Sequence, residues 1–212
     1  EALFDRFQRE KIPILVGTQM VAKGLDFENV TLVGVISADA SLYVDDYRAA
    51  ERTFSLLTQV VGRAGRGEKS GRAVIQTYTP ENDVILAAQH QDYGRFYQQE
   101  IPLRELRGCP PFRDLFVLTA SGAEESAVLR TCMRLRHTLE SWLTRPGSPQ
   151  VLLLGPAPAA ITKINNRYRY RLTLSGKNNK PLRALIGDLL RCAQSDSYNR
   201  GVSVSADINP LD

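Results

Sequence analysis

Apolar positions recur along this chain at two different periods, and the changes of period predict its elements. Ile12–Val16 and Val30–Ile36 are short, nearly all-apolar runs of the kind that parallel strands buried on both faces require. Residues 1–11 read as the end of a helix with Leu3, Phe4 and Phe7 on one face, and Thr18–Gly24 leaves room for a short helical segment. A loop and helix follow over Asp45–Gly62, with Ala50, Phe54, Leu57 and Val61 on the apolar face. Ala73–Tyr78 is the next strand. Strands alternating with helices predict a parallel sheet covered on both faces.

Beyond residue 80 the pattern changes. Asn82–Leu106 reads as mainly helical until Gly108-Cys109-Pro110-Pro111 stops it, which is the expected domain boundary. Leu115–Thr119 reads as a strand, and Glu124–Leu143 as a long helix carrying Val128, Cys132, Leu135, Leu139 and Trp142 at alternating spacings of four and three. Val151–Leu154 and Tyr168–Leu174 are further strands. Pro181–Ala193 is a helix lined by Leu182, Leu185, Leu189 and Ala193, and Val202–Ile208 is a fourth strand. This order is that of a split βαβ, ferredoxin-like α+β domain. The expected organisation is therefore residues 1–80, a helical connector 81–111, and a second domain 112–212, with no internal repeat and no low-complexity segment.

Composition narrows the class. With 43% hydrophobic and 24% charged residues in 212, the chain has an ordinary globular make-up. No apolar run approaches the roughly 20 residues of a membrane helix, and the longest, around Val151–Ile161, is broken by Pro156 and Pro158. The amino end lacks the basic-then-apolar order of a signal peptide, so a cytoplasmic protein is expected. Cys109, Cys132 and Cys192 are odd in number and scattered, which argues for reduced thiols and against a metal site made by this chain alone. Residues 1–111 hold 13 Lys+Arg against 15 Asp+Glu, whereas residues 112–212 hold 14 against 8. The second half is basic, the electrostatic footprint of a polyanion partner, although a basic domain is also simply soluble.

Two stretches carry candidate chemistry. Gln59-Val60-Val61-Gly62-Arg63-Ala64-Gly65-Arg66 places two guanidiniums three residues apart among glycines. On a helical turn they share a face and can clamp a transferring phosphoryl group, or they form nothing more than an exposed basic turn. Upstream, Ile14-Leu15-Val16-Gly17-Thr18-Gln19-Met20-Val21-Ala22-Lys23-Gly24-Leu25-Asp26-Phe27 runs an apolar strand into Gly, Thr, Lys and Asp. Together these resemble motifs V and VI of superfamily 2 helicases, and within them the bacterial primosomal replication-restart helicases, the primosomal protein N-prime family. The resemblance continues through Thr31–Val35, Tyr47–Arg52, Cys109–Phe112 and Gly155–Pro158, and so spans nearly the whole chain. Leu25, where His is frequent, and Cys109, where Tyr or Leu often stands, depart from the family pattern, and neither bears phosphate chemistry.

The resemblance implies that the first domain is the rear part of a RecA-like lobe which closes an ATP site on a separate first lobe. It assigns Arg66 and Arg63 to the γ-phosphate, Gln59 to orienting water or arginine, and Gly24 and Asp26 to the nucleotide. Thr18, Gln19 and Lys23 would touch a DNA backbone; the plain alternative for Lys23 is a solvated charge at a strand end. ATP and Mg²⁺ would be shared with the first lobe, since no GxxxxGK[ST] loop or DExx motif occurs here, and the chain alone is not expected to hydrolyse ATP. Zinc belongs to the family through cysteines upstream of motif V that this chain does not contain. Implied partners are forked or single-stranded DNA, the acidic carboxyl tail of single-stranded DNA-binding protein, and other primosome proteins. A different superfamily 2 translocase, or a DNA and protein interaction module, are the alternatives.

In the basic half, Lys163-Ile164-Asn165-Asn166-Arg167-Tyr168-Arg169-Tyr170-Arg171-Leu172 alternates charge and aromatic at period two. On a strand this puts Arg167, Arg169 and Arg171 on one face and Tyr168, Tyr170 and Leu172 on the other. The tyrosines are expected in a core. The arginines, with Lys163, are expected to meet phosphates, the plain alternative being an amphipathic strand whose arginines stand in water.

Overall fold

The computed structural model describes residues 2–18, 30–62 and 71–211, divided into two compact units, Glu1–Ile101 and Pro102–Asp212.

In the first unit α1 (Ala2–Arg9) precedes β1 (Leu32–Val35), α2 (Asp39–Leu42), α3 (Ala49–Val61), β2 (Arg72–Ile75) and α4 (Asp83–Gln89). α5 (Tyr93–Arg107) then crosses the division. β1 and β2 pair in parallel, with Leu32 opposite Arg72 and Val35 opposite Ile75. The core gathers Ala38, Phe54, Leu57, Ile85, Ala87, Ala88 and Phe96, with Phe54 stacked on Phe96 at 4.5 Å between ring centroids. Asn82 caps α4 by accepting the Val84 N–H at 2.9 Å.

Three expectations for this unit change. Residues 14–18 form no strand, and Ile14 and Val16 are exposed; a strand exists only through ladder bonds to a neighbour, and among the described residues β1 pairs with β2 alone. The buried face of α3 is centred on Ala49, Thr53, Phe54, Leu57 and Val60, whereas Ala50 and Val61 are only partly covered. Thr53 is tolerated at full burial because its hydroxyl donates to Ser41 Oγ at 3.1 Å. The division between units lies at Ile101/Pro102, not at the Pro-Pro step: α4 and Phe96 pack in the first core, while Gly108 O accepts a hydrogen bond from Ser175 in the second. The faces of Leu3 and Phe4 and the helix expected over Thr18–Gly24 fall outside the described side chains and residues.

The second unit continues with β3 (Asp114–Gly122), α6 (Glu125–Leu143), β4 (Val151–Ile164), β5 (Arg167–Gly176), α7 (Lys180–Ser195) and β6 (Val202–Ile208). All strand pairs are antiparallel and the order across the sheet is β4-β5-β3-β6. This is the ferredoxin-like arrangement that the element order predicts. Residues at every second position on β3 and β5, among them Phe116, Leu118, Leu172 and Leu174, join Leu135 and Leu139 of α6 and Leu182, Ile186 and Leu189 of α7 in one core. Asn179 caps α7 by accepting the Leu182 N–H at 3.0 Å.

β4 runs to Ile164, ten residues past its expected end at Leu154. Pro156 and Pro158 do not end it because β4 is an edge strand, where a missing N–H leaves no partner wanting, and register shifts flank both prolines. Arg136 donates to the Gly155 carbonyl and secures the bend. No described helix is long and apolar enough to cross a membrane.

Candidate nucleic-acid interface

In the second unit α6 and α7 cover one face of the sheet; they leave the other face uncovered, although its Ser175 end is buried beneath the turn at Gly108. Alternation along β5 decides which side chains reach it. Leu172 and Leu174 enter the core, and Tyr168 and Tyr170 pack against the buried group Ala120, Val128 and Cys132. Arg167, Arg169 and Arg171 therefore belong to the open face, about 7 Å apart in sequence along the strand.

Register completes the surface. Arg169 stands opposite Ser121 and Arg171 opposite Thr119 on β3, and these stand opposite Ser203 and Ser205 on β6. A row of guanidiniums thus borders two rows of hydroxyls, donors that suit phosphate oxygens without reading base sequence. Arg167 is held in place: its Nη2 donates to Ser121 O at 2.7 Å and to Ser203 Oγ at 3.3 Å, and its Nε to Ser121 Oγ at 3.2 Å. Among the described residues Arg169 makes no hydrogen bond or ion pair.

The strand is extended by a hairpin whose two turn residues, Asn165 and Asn166, have φ of 49° and 59°. Asparagine tolerates this left-handed geometry, which matches the twist of paired strands. At this tip the Lys163 ammonium lies 4.6 Å from the centroid of the Tyr168 ring. Lys163, Arg167, Arg169 and Arg171, singled out from sequence, lie on one hairpin, but Lys163 pairs with Tyr168 and so stands on the tyrosine face, opposite the arginines. Ser121 and Ser203, which position Arg167, carry no signal in a sequence because only the strand order makes them neighbours.

Two groups on the helix side are tuned by their surroundings. The hydrogen bond from Tyr170 Oη to Glu125 Oε1, at 2.8 Å, together with burial, raises the tyrosine above its usual range. Burial pushes the Cys132 thiol up to about 11, against a weaker opposing hydrogen bond with the Ala120 backbone.

Of the first-unit residues assigned to nucleotide or to the DNA backbone, Gln59 lies on the last turn of α3 with its side chain exposed. Thr18 lies in exposed irregular chain. Gln19, Lys23, Gly24, Asp26, Arg63 and Arg66 are outside the described residues. Missed from sequence was Asp39, a buried carboxylate at the carboxyl ends of β1 and β2 that accepts from Thr77 Oγ1 at 2.9 Å, Tyr78 N–H at 3.1 Å and Thr79 Oγ1 at 3.1 Å. Burial opposes its charge, yet the hydrogen bonds from Thr77, Tyr78 and Thr79 outweigh it and hold the carboxyl below its ordinary value.

A parallel α/β unit followed by a ferredoxin-like domain with a cationic sheet face is the class that these features define. The family model described as helicase conserved C-terminal domain matches residues 1–68, and that described as primosomal protein N C-terminal domain matches residues 105–211. The chain belongs to the primosomal protein N family. It is 42% identical over 210 residues to the replication restart protein PriA of Bacillus subtilis, covering 99% of this chain and 26% of that relative. It is 48% identical over 171 residues to the protein of the same name from Synechocystis, covering 81% of this chain and 20% of the relative. The Chlamydia muridarum protein is 34% identical over 211 residues, with 100% and 27% covered. The chain spans about a quarter of the length of these relatives.

Proposed function

We propose that this chain is the carboxyl-terminal portion of an ATP-dependent DNA helicase that recognises branched DNA and restarts stalled replication by primosome assembly. The observation that carries this reading is the arginine row of β5 on an open sheet face, in a chain whose first 68 residues match a helicase domain. Lys163, Arg167, Arg169 and Arg171 bind DNA phosphates, and Thr18, Gln19 and Lys23 touch the backbone of the translocated strand.

Bound ATP with Mg²⁺ supplies the phosphoryl transfer that drives unwinding. Arg63 and Arg66 stabilise charge on the transferring group, Gln59 orients the attacking water, and Gly24 and Asp26 approach the nucleotide. The exposed side chain of Gln59 suits a site shared with another lobe. Zinc, where the whole protein holds it, is bound by residues outside this chain. Among the described residues no three His, Cys, Asp or Glu come together to hold a metal. The partners are forked and single-stranded DNA, the carboxyl tail of single-stranded DNA-binding protein and other primosome proteins, in the cytoplasm.

The test is DNA-stimulated ATP hydrolysis by the full-length protein. Arg66→Ala is expected to reduce it about 10³-fold or more, with DNA affinity nearly intact. Hydrolysis within tenfold of wild type would sink the assignment. Absence of any DNA-stimulated hydrolysis in the wild type would leave only an interaction module.

A further inference from the structure

Thr53 is fully buried in the middle of α3, where a valine of the same shape would bury as well without the cost of desolvating a hydroxyl. The hydroxyl instead joins a hydrogen-bonded relay. Thr53 Oγ1 donates to Ser41 Oγ at 3.1 Å, and Ser41 Oγ donates to the Ala38 carbonyl at 3.2 Å. Ala38 is itself fixed, since its N–H donates to Gln76 O at 3.0 Å and the Gln76 N–H to Val35 O at 2.9 Å. Next to it, Asp39 accepts from Thr77, Tyr78 and Thr79. The relay therefore ends on backbone that is pinned where β1 and β2 finish. A second tether holds the start of the same helix: Asp46 Oδ1 accepts the Arg48 N–H at 2.9 Å, and Asp46 Oδ2 lies 2.6 Å from Arg52 Nη2.

We propose that Thr53 is a positioning residue for ATP hydrolysis: through Ser41 it sets where α3 sits along and about its own axis, and hence where the helix presents Gln59. The inference rests on the DNA-helicase reading and deepens it. Gln59 lies six residues beyond Thr53, about 9 Å along the axis at 1.5 Å per residue, so Thr53 acts through the helix and not on the nucleotide. Burial of Phe54 and Leu57 holds α3 in the first core, but the hydrophobic effect is non-directional and does not by itself select one placement. A hydrogen bond weakens steeply with distance and angle, so the bond from Thr53 to Ser41 does select one. A slip at Thr53 is carried by the continuous helix to Gln59, and Arg63 and Arg66 follow directly in sequence. Groups that act on a transferring phosphoryl group tolerate little of this, since about 1 Å of misplacement costs on the order of 10²-fold in rate.

The experiment measures DNA-stimulated ATP hydrolysis by the full-length protein, with melting temperature and DNA affinity followed alongside. Thr53→Val keeps shape and burial and removes only the donor. It is expected to lower kcat about tenfold while KM for ATP, DNA affinity and melting temperature stay at wild-type values, the pattern of a loss felt only in the transition state. Thr53→Ser, which restores the donor, should keep kcat within about twofold of wild type. Ser41→Ala should lower kcat as Thr53→Val does, and the double variant should be no slower than either single one, because both changes cut the same bond. An unchanged kcat in Thr53→Val overturns the proposal, as does a loss that comes with a lowered melting temperature, which would make Thr53 a packing residue only. Losses that multiply in the double variant, or an equal loss in Thr53→Ser, overturn it too. Absence of DNA-stimulated hydrolysis in the wild type would instead sink the DNA-helicase reading, and this inference with it.

Discussion

Tyr170 donates from Oη to Glu125 Oε1 at 2.8 Å and so ties the middle of β5 to the first turn of α6. This hydrogen bond and burial favour the neutral phenol, raising its folded value above the unfolded value near 10. The stabilisation is fully present below pH 10 and is lost as pH rises through the folded value. Thermal melts of the second unit between pH 9 and 11 are expected to show this decline, and Tyr170→Phe should flatten it. A profile identical in the variant would contradict the coupling.

Asp39 has the opposite sign. Its hydrogen bonds with Thr77, Tyr78 and Thr79 overcome burial and lower the folded value, so its contribution is present above about pH 4 and lost as pH falls through the folded value. Asp39→Asn keeps one acceptor oxygen and places an N–H₂ where the second was. It is expected to lower the melting temperature of the first unit at pH 7 and to narrow the gap from wild type at pH 3, followed by circular dichroism.

Salt titration tests the open face. Three neutralised phosphates on single-stranded DNA give a log-log slope of about −2, at roughly −0.7 each. Arg169→Gln with Arg171→Gln should flatten the slope by about 1.4 in the 212-residue chain. Arg167→Gln is expected to cost stability as well, since its guanidinium bridges β5 to Ser121 and Ser203. A slope unchanged in both variants would place the row against something other than DNA.

The thiols should separate by reactivity. Cys192 is exposed, whereas Cys132 is buried with its thiol pushed up to about 11. A thiol reagent at pH 8 is expected to label Cys192 within minutes and Cys132 only after denaturation. Rapid labelling of Cys132 in the native chain would show that the contact of α6 with Tyr168 and Tyr170 opens.

Leu139 is fully buried between the sheet and α7. Leu139→Ala is expected to destabilise the second unit by about 2–5 kcal/mol in urea unfolding, as the loss of transfer energy adds to that of a cavity. A change below 1 kcal/mol would mean that the core collapses around the gap.

Periodicity alone determined most of the second unit. The helical spacing of Val128, Cys132, Leu135 and Leu139 and the period-two alternation of Tyr168, Tyr170 and Leu172 both point to the buried side of the sheet, because side-chain direction in a helix or strand follows from local backbone geometry. The family was also legible, since the Gly, Arg and Thr stretches that carry it are contiguous in the chain.

What depended on pairing was not legible. Whether residues 12–16 become a strand, and whether Pro156 and Pro158 end one, turns on which neighbour supplies hydrogen bonds, and adjacency in a sheet is a long-range property. The same holds for Ser121 beside Arg167, 46 positions apart, and for Asp39 beneath Thr77 and Tyr78, 38 and 39 positions apart. Local sequence set the direction in which each side chain points; only the folded sheets decided what it meets, because hydrogen-bond partners are chosen by proximity in space and not along the chain.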